Sequence, residues 1–135
     1  MTGTRRPFPS LRHAVSQDLI NAYAELSGDF NPLHVDPAIA ARSPFGSTIA
    51  HGPIALQVFF AAVTRWHGAE ALPPGSTVKV VFLSPVRPGD EVRCAVVTFD
   101  ETTGLTTIDA ECVVGDRTVV ALRATVPEEK RSGIP

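Results

Sequence analysis

Cysteine and the bulky aromatic residues are scarce in this chain. Among its 135 residues are two cysteines, one tryptophan, one tyrosine and one methionine. Cys94 and Cys112 are too few for a disulfide scaffold and lack the spacing of metal ligands. We interpret both as reduced thiols in a sheet, and they lie near one another if a three-residue loop within 101–105 closes a hairpin.

An excess of charge of one sign is also missing, as is any long apolar run. The formal net charge is −2 and 19% of the residues are charged. This balance gives no electrostatic attraction to nucleic acid or to an anionic membrane, so we expect neither as a partner. No apolar stretch approaches the roughly 18 residues that a membrane-spanning helix needs. Residues 1–10 contain arginines but no apolar signal core, which predicts a cytoplasmic protein.

Several motifs of common enzyme classes are absent as well. The sequence contains no glycine-rich phosphate loop, no cluster of metal ligands and no nucleophile elbow. We therefore expect no metal and no redox cofactor. Repeats and low-complexity tracts are absent too, which predicts one domain over 8–127 between tails at 1–7 and 128–135.

The periodicity that is present changes once along the chain. Helical spacing follows Ser16, a suitable N-cap, and ends at Ser27-Gly28, and a short helix follows the cap Asp36. A longer helix begins near Gly52 and is apolar over most of its surface. A short strand is predicted within 8–15, and period-two patterns predict strands at 77–83, 91–99, 105–114 and 118–126. One buried helix followed by an antiparallel meander predicts an α+β fold with the sheet curled around the helix.

One short stretch concentrates groups that can perform acid–base chemistry. Asp29 and His34 lie five positions apart, separated by the turn-forming pair Asn31-Pro32. His51 and Gly52 follow 17 and 18 residues after His34, directly before the apolar helix. An acid–base pair beside a helix N-terminus is suited to chemistry next to a carbonyl group.

The order of these residues resembles the signature of MaoC-like dehydratases and (R)-specific enoyl-CoA hydratases. Residues 27–34 read Ser-Gly-Asp-Phe-Asn-Pro-Leu-His, and the resemblance continues through Asp36-Pro37, Phe45-Gly46 and Ile49-Ala50-His51-Gly52. It implies a single hot-dog fold, in which an antiparallel sheet wraps a long central helix. It also implies a homodimer whose sheets join edge to edge, with the sites at the subunit interface.

The resemblance implies an activity and assigns roles to three residues. The activity is reversible hydration of a trans-2-enoyl thioester to the (3R)-3-hydroxyacyl thioester, carried on coenzyme A or an acyl carrier protein. Asp29 and His34 match the catalytic pair, and we expect them to polarise one water, with Asp29 returning a proton to C2. The N–H of Gly52 is the expected donor to the thioester oxygen, because it is unpaired at the positive end of a helix.

Four further residues are expected near the substrate. Asn31 is interpreted mainly as a brace of the turn, and His51 as a hydrogen-bonding residue rather than a second base. Phe45, Phe59 and Phe60 are considered together as residues that close a tunnel and favour short acyl chains, although core packing is the preferred interpretation of Phe60. Two departures from the family pattern are Phe60, where many relatives carry a serine, and Pro53, where a larger apolar residue is usual.

Other functions stay open at this point. A hot-dog thioesterase would use a carboxylate and the same helix-end donor, although His34 argues against it. A catalytically silent subunit that binds acyl thioesters or completes a heterodimer is the second alternative. Several scattered basic residues are candidates to bind the phosphates of a coenzyme A arm, and no sequence pattern favours one over another: Arg42, Arg65, Lys79, Arg87 and Arg93.

Overall fold

The computed structural model describes residues 8–68 and 71–128. Both predicted tails, 1–7 and 128–135, lie outside this part apart from Glu128, whose N–H donates to the carbonyl of Gly104 at 2.8 Å. The helices in these ranges are α1 Gln17–Ser27, α2 Pro32–Val35, α3 Pro37–Ala41 and α4 Gly52–His67. The strands in the described part are β1 Arg12–Ala14, β2 Thr77–Phe82, β3 Glu91–Thr102, β4 Leu105–Val114 and β5 Arg117–Pro127.

The α4 helix is the centre of the core, as its apolar surface predicted. Ile54, Val58, Phe59, Ala62 and Val63 are all buried along it. Its side chains pack against β1, β3, β4 and β5, so the sheet curves around the helix. This confirms the predicted α+β, hot-dog arrangement. Within the described ranges, no helix is both long and apolar enough to cross a membrane.

The sheet has the order β1-β3-β4-β5-β2, and its neighbouring strands are antiparallel. The prediction of a simple meander is therefore right for β3, β4 and β5 and wrong for β2. The segment 83–90 carries the chain from β2 at one edge to β3 near the other, where β3 pairs with the short β1. A segment of that length, with Pro85 and Pro88, is not a tight hairpin turn.

The β3–β4 hairpin places the two cysteines directly opposite each other. Cys94 pairs with Cys112 in the register, and both are buried free thiols. The predicted three-residue loop is a two-residue turn, because Thr102 pairs with Leu105. A bulge between Val96 and Thr98 shifts the register within the same pair of strands.

Two short helices lie where the sequence reasoning expected one. The α3 helix follows its predicted cap, with the Asp36 carboxylate accepting the N–H groups of Ala38 and Ile39. The α2 helix was predicted as a loop. It forms because the Asn31 side chain accepts the N–H of Leu33 at 3.0 Å and Pro32 supplies a φ suited to the first turn.

Candidate active site

The end of α1 places Asp29 next to His34. Gly28 caps the helix in the left-handed conformation, with φ of 78°, and its N–H donates to the carbonyl of Ala24. One carboxylate oxygen of Asp29, Oδ1, accepts the N–H of Asn31 at 3.2 Å. Its side chain remains 54% exposed. The main chain therefore fixes this carboxylate while leaving it open to water.

His34 lies on α2 and faces that carboxylate. Its Nε2 is 3.8 Å from Oδ2 of Asp29, and the imidazole is only 14% exposed. This distance is too long for a direct hydrogen bond. One water molecule can span two acceptors at such a separation.

The other ring nitrogen of His34 determines its tautomer. Nδ1 lies 2.8 Å from the carbonyl oxygen of Ile49. A carbonyl oxygen can only accept, so Nδ1 carries a hydrogen and donates it. In the neutral ring the lone pair is therefore on Nε2, the atom nearest Asp29.

Gln17 and Thr48 form a chain of hydrogen bonds that ends at the backbone carbonyl of His34. The Gln17 amide donates to the carbonyl oxygen of His34 at 2.8 Å and to Asn21 Oδ1 at 2.9 Å. Thr48, only 5% exposed, donates to the Gln17 amide oxygen at 2.6 Å. Sequence reasoning missed both residues. Gln17 lies outside the recognised motif and reaches His34 through the packing of α1 against α2, and Thr48 reaches Gln17 from the loop before α4.

His51 completes the polar cluster from the start of α4. It is 2% exposed, and its Nε2 lies 2.9 Å from the carbonyl oxygen of Asp29. Its ring stacks on that of His34 with centroids 3.8 Å apart and planes inclined by 26°. Tyr23 covers the ring as well, at a centroid distance of 4.7 Å.

Gly52 begins α4, so its N–H belongs to the first, unpaired turn of the helix. No acceptor in the described part of the chain takes this N–H. Phe82 packs closely against the glycine, since a Cβ built at Gly52 would lie 2.9 Å from two carbons of the Phe82 ring. Pro53 is the second residue of the helix and leaves the N–H of Gly52 untouched.

A pocket of about 440 Å³ opens beside these groups. His34, His51 and Gly52 form its polar end, and Phe45 and Phe82 form part of its mostly apolar wall.

Asp29 is not among the lining residues and reaches the site through its contact with His34. Asn31 and Phe60 do not line the pocket either. Phe60 is 39% exposed and packs edge to face on Phe59. It therefore lies neither in the pocket wall nor in the buried core, the two positions considered from the sequence.

Three of these side chains have the chemistry to hold a metal ion. Asp29, His34 and His51 offer ligand atoms that lie within 4.8 Å of one another. Two of their four ring nitrogens already contact carbonyl oxygens. The two rings are stacked with their planes inclined by 26°, an arrangement that is unfavourable for two imidazoles on one tetrahedral ion. The arrangement is better suited to holding a water molecule than to a tetrahedral metal site.

Two arginines form hydrogen bonds to residues of the pocket wall. Arg117 donates to Ser84 Oγ at 2.7 Å and to the carbonyl oxygen of Pro85 at 2.6 Å. The guanidinium of Arg87 donates to the carbonyl oxygen of Phe45 at 3.0 Å. The backbone N–H of Arg87 donates to Asp90, whose carboxylate also receives Arg117 at 3.3 Å. Of the five basic residues considered from the sequence, Arg87 therefore has a direct bond to a residue that lines the pocket.

Comparison with known proteins finds relatives over most of the chain. A family model described as "MaoC like domain" matches residues 3–120. The 3-hydroxybutyryl-CoA dehydratase of Methylorubrum extorquens is 34% identical over 124 residues, covering 90% of this chain and 78% of the relative. The (R)-specific enoyl-CoA hydratase of Rhodospirillum rubrum is 34% identical over 124 residues, covering 87% and 82%. The solved (R)-hydratase from A. caviae superposes with a TM-score of 0.74 at 29% identity, covering 90% of this chain and 93% of that one.

Proposed function

The chain belongs to the family of MaoC-like domains, and from this premise we propose that it catalyses reversible hydration of a trans-2-enoyl thioester to the (3R)-3-hydroxyacyl thioester. One observation carries the proposal: the Asp29 carboxylate lies 3.8 Å from the unprotonated nitrogen of His34, and His34 lines the same pocket as Gly52. Relatives with dehydratase and (R)-hydratase activity support the reaction and its stereochemistry.

Hydration begins with a water held between Asp29 and His34. Both facing atoms are acceptors, so one water can donate a hydrogen to each and direct an oxygen lone pair at C3 of the substrate. As the C3–O bond forms, the π electrons of the C2=C3 bond move towards the thioester oxygen, and one proton of the water passes to the Asp29 carboxylate. Asp29 then delivers a proton to C2, and the pair returns to its starting state. The steps run in reverse for dehydration.

The negative charge that develops on the thioester oxygen needs a donor. The N–H of Gly52 is free to serve, because it lies in the first turn of α4 at the positive end of the helix dipole. The absence of a Cβ lets the carbonyl come close to the backbone. His34 and Gly52 line the same pocket, so water activation and charge stabilisation take place at one end of it.

The pocket favours a short acyl chain. Phe45 and Phe82 narrow its apolar wall, and Phe82 lies against the glycine that receives the thioester. Whether the thioester is carried on coenzyme A or on an acyl carrier protein, its phosphate arm leaves the pocket. Arg87, bonded to Phe45, and Arg117, bonded to Ser84 and Pro85, are the candidate partners for its phosphates.

We also propose a homodimer joined along β2. This strand pairs with β5 on one side, which leaves its other side as an edge of the sheet. Val81, Phe82 and Leu83 at its end are 56–57% exposed and apolar, which is unusual for an unprotected edge. Phe82 and Leu83 also line the pocket, so a second copy on this edge covers the open side of the site.

A single assay separates this activity from its rivals. Purified protein is incubated with crotonyl-CoA while enoyl-thioester absorbance and free thiol are followed together, and the product is analysed on a chiral column. The proposal predicts loss of absorbance with (3R)-hydroxybutyryl-CoA formed and no thiol released. Stoichiometric thiol release would indicate a thioesterase. No change in either signal would indicate a silent subunit and would overturn the proposal.

A further inference from the structure

His51 occupies an unusual position for a histidine. It is the residue that precedes α4, where a serine, threonine, asparagine or aspartate would normally cap the free N–H groups. Its side chain makes no such capping bond. Instead it turns away from the helix and lies 2.9 Å from the carbonyl oxygen of Asp29. The side chain at this position therefore bonds to the catalytic loop and does not cap the helix.

The same ring also touches the second member of the pair. It stacks on His34 at 3.8 Å between ring centroids, and Tyr23 packs against it at 4.7 Å. His51 is 2% exposed, so its ring cannot reorient without disturbing these neighbours. One buried side chain therefore contacts the main chain of Asp29 and the ring plane of His34.

The hydrogen bonds require opposite tautomers in the two stacked rings. The carbonyl oxygen of Asp29 can only accept, so His51 carries its hydrogen on Nε2. Nδ1 of His51 is buried and has no partner in the part of the chain that the structure describes. A hydrogen on Nδ1 would be a buried donor without an acceptor, which is costly. His34, in contrast, donates from Nδ1 to Ile49.

We infer that His51 is a positioning residue, which holds the Asp29 main chain through its Nε2–H and the His34 ring through stacking. It contacts the pair that handles the water but does not exchange a proton itself. The inference rests on the proposed function, because it assigns His51 to the geometry of that reaction. It predicts that His51 affects the rate of chemistry more than substrate binding.

Kinetics of substituted chains provide the first test. His51→Ala removes both contacts, and displacement of the catalytic pair is expected to lower kcat about 10²-fold, with little change in KM. His51→Gln keeps an N–H donor at a similar reach and should recover part of that loss. His13→Ala, on β1 away from the site, is the control and should leave both constants unchanged. Thermal melting confirms that each chain is folded.

A double substitution distinguishes positioning from a general loss of folded protein. With Asp29→Asn already present, His51→Ala should cost little more, because residues that act as one unit are strongly non-additive. A merely structural role would lower activity by the same factor in both backgrounds. Equal factors would overturn the inference while leaving the proposed function in place. An inactive wild type would overturn both.

Nitrogen-15 NMR of the imidazole rings gives a readout that does not depend on activity or on any variant. The inference predicts that neutral His34 carries its hydrogen on Nδ1 and neutral His51 on Nε2. The same tautomer in both rings, or rapid exchange between the tautomers of His51, would overturn it.

Discussion

Phe82 and Phe60 show how differently two half-exposed aromatic side chains can be used. Phe82 is 56% exposed and Phe60 39%, so exposure alone does not distinguish them. Phe82 lines the pocket and packs against Gly52, whereas Phe60 lies outside the pocket on α4. Of these two side chains, Phe82 is the one that lines the pocket proposed for the acyl chain.

The first prediction uses this contrast. Phe82→Ala enlarges the apolar wall of the pocket and should raise kcat/KM for octenoyl-CoA relative to crotonyl-CoA by about 10-fold. Phe60→Ala is the matched control and should leave that ratio unchanged. The account of the pocket would be contradicted if both variants changed the ratio equally, or if neither did.

Gly52 carries the second prediction. A methyl group added there would lie 2.9 Å from the Phe82 ring and would also obstruct a thioester carbonyl approaching the N–H. Gly52→Ala should lower kcat/KM for crotonyl-CoA by about 10-fold or more. The same loss is expected in a Phe82→Ala background, where the ring is gone. A loss seen only when Phe82 is present would assign Gly52 a packing role instead.

The site residues that could be predicted from the sequence lie in short local motifs, and the others come from distant segments. Asp29, Asn31 and His34 could be grouped from the sequence because they share one short turn, and Gly52 because it starts an apolar helix. Gln17, Thr48 and Phe82 could not, since each reaches the site from a segment whose packing no local pattern specifies. Gln17 contacts His34, Thr48 contacts Gln17 and Phe82 contacts Gly52, and these contacts exist only in the folded chain.

At the scale of elements, local signals located the helices and strands better than their connections. Capping residues and period-two patterns gave α1, α3, α4 and the four long strands. The α2 helix was missed because four residues are too few for a periodic pattern. The place of β2 next to β5 was missed because strand order depends on long-range pairing.

The cysteines show what the register adds. Cys94 and Cys112 face each other across β3 and β4 and are buried as free thiols. Burial raises the pKa of Cys94 to about 11 and that of Cys112 to about 12. Few thiolates therefore form near neutral pH, which agrees with two packed thiols in a sheet.

A third prediction concerns the outer face of the β4–β5 pair. Arg123 forms a two-point contact with Asp109, at 2.7 and 3.0 Å, and Thr98 donates to the same carboxylate at 2.8 Å. These hydrogen bonds lower the pKa of Asp109 from 3.8 to about 2. Because the folded chain favours the ionised form, the stabilisation is complete above the unfolded value and is lost as the pH falls towards 2.

Urea unfolding of the wild type and Asp109→Asn at several pH values measures this effect. The wild type should have the higher midpoint at pH 7, and the difference should disappear as the pH falls from about 4 to about 2. Asp100→Asn on β3, exposed and outside the Arg123 contact, is the control. A difference between wild type and Asp109→Asn that stayed constant with pH would contradict the role of the ion pair.

At the scale of the whole molecule, the open edge of β2 is the feature that a single chain leaves unexplained. Phe82 and Leu83 at its end are apolar and exposed, and they border the pocket. A second copy along this edge would cover them. The period-two pattern of residues 77–83 did not mark β2 as an edge strand, because strand order depends on long-range pairing.

The fourth prediction tests the dimer. Val81→Lys places a charge on the edge that the two copies share, and edge lysines oppose strand pairing. The wild type should elute at twice the 14.4 kDa of one chain, and Val81→Lys at 14.4 kDa with reduced activity. Val97→Lys, on β3 and 59% exposed, is the control and should remain dimeric. A wild type that elutes as a monomer would rule out this interface.

The central claim is that Asp29 and His34 together activate one water molecule. The most direct measurement is kcat for crotonyl-CoA hydration by the wild type, Asp29→Asn, His34→Gln and the double variant, with Asp18→Asn on α1 as control. Each single change should lower kcat on the order of 10²-fold or more, the scale of a positioned proton-transfer group. The double variant should be little worse than the poorer single one. Near-wild-type rates in both single variants would contradict the claim.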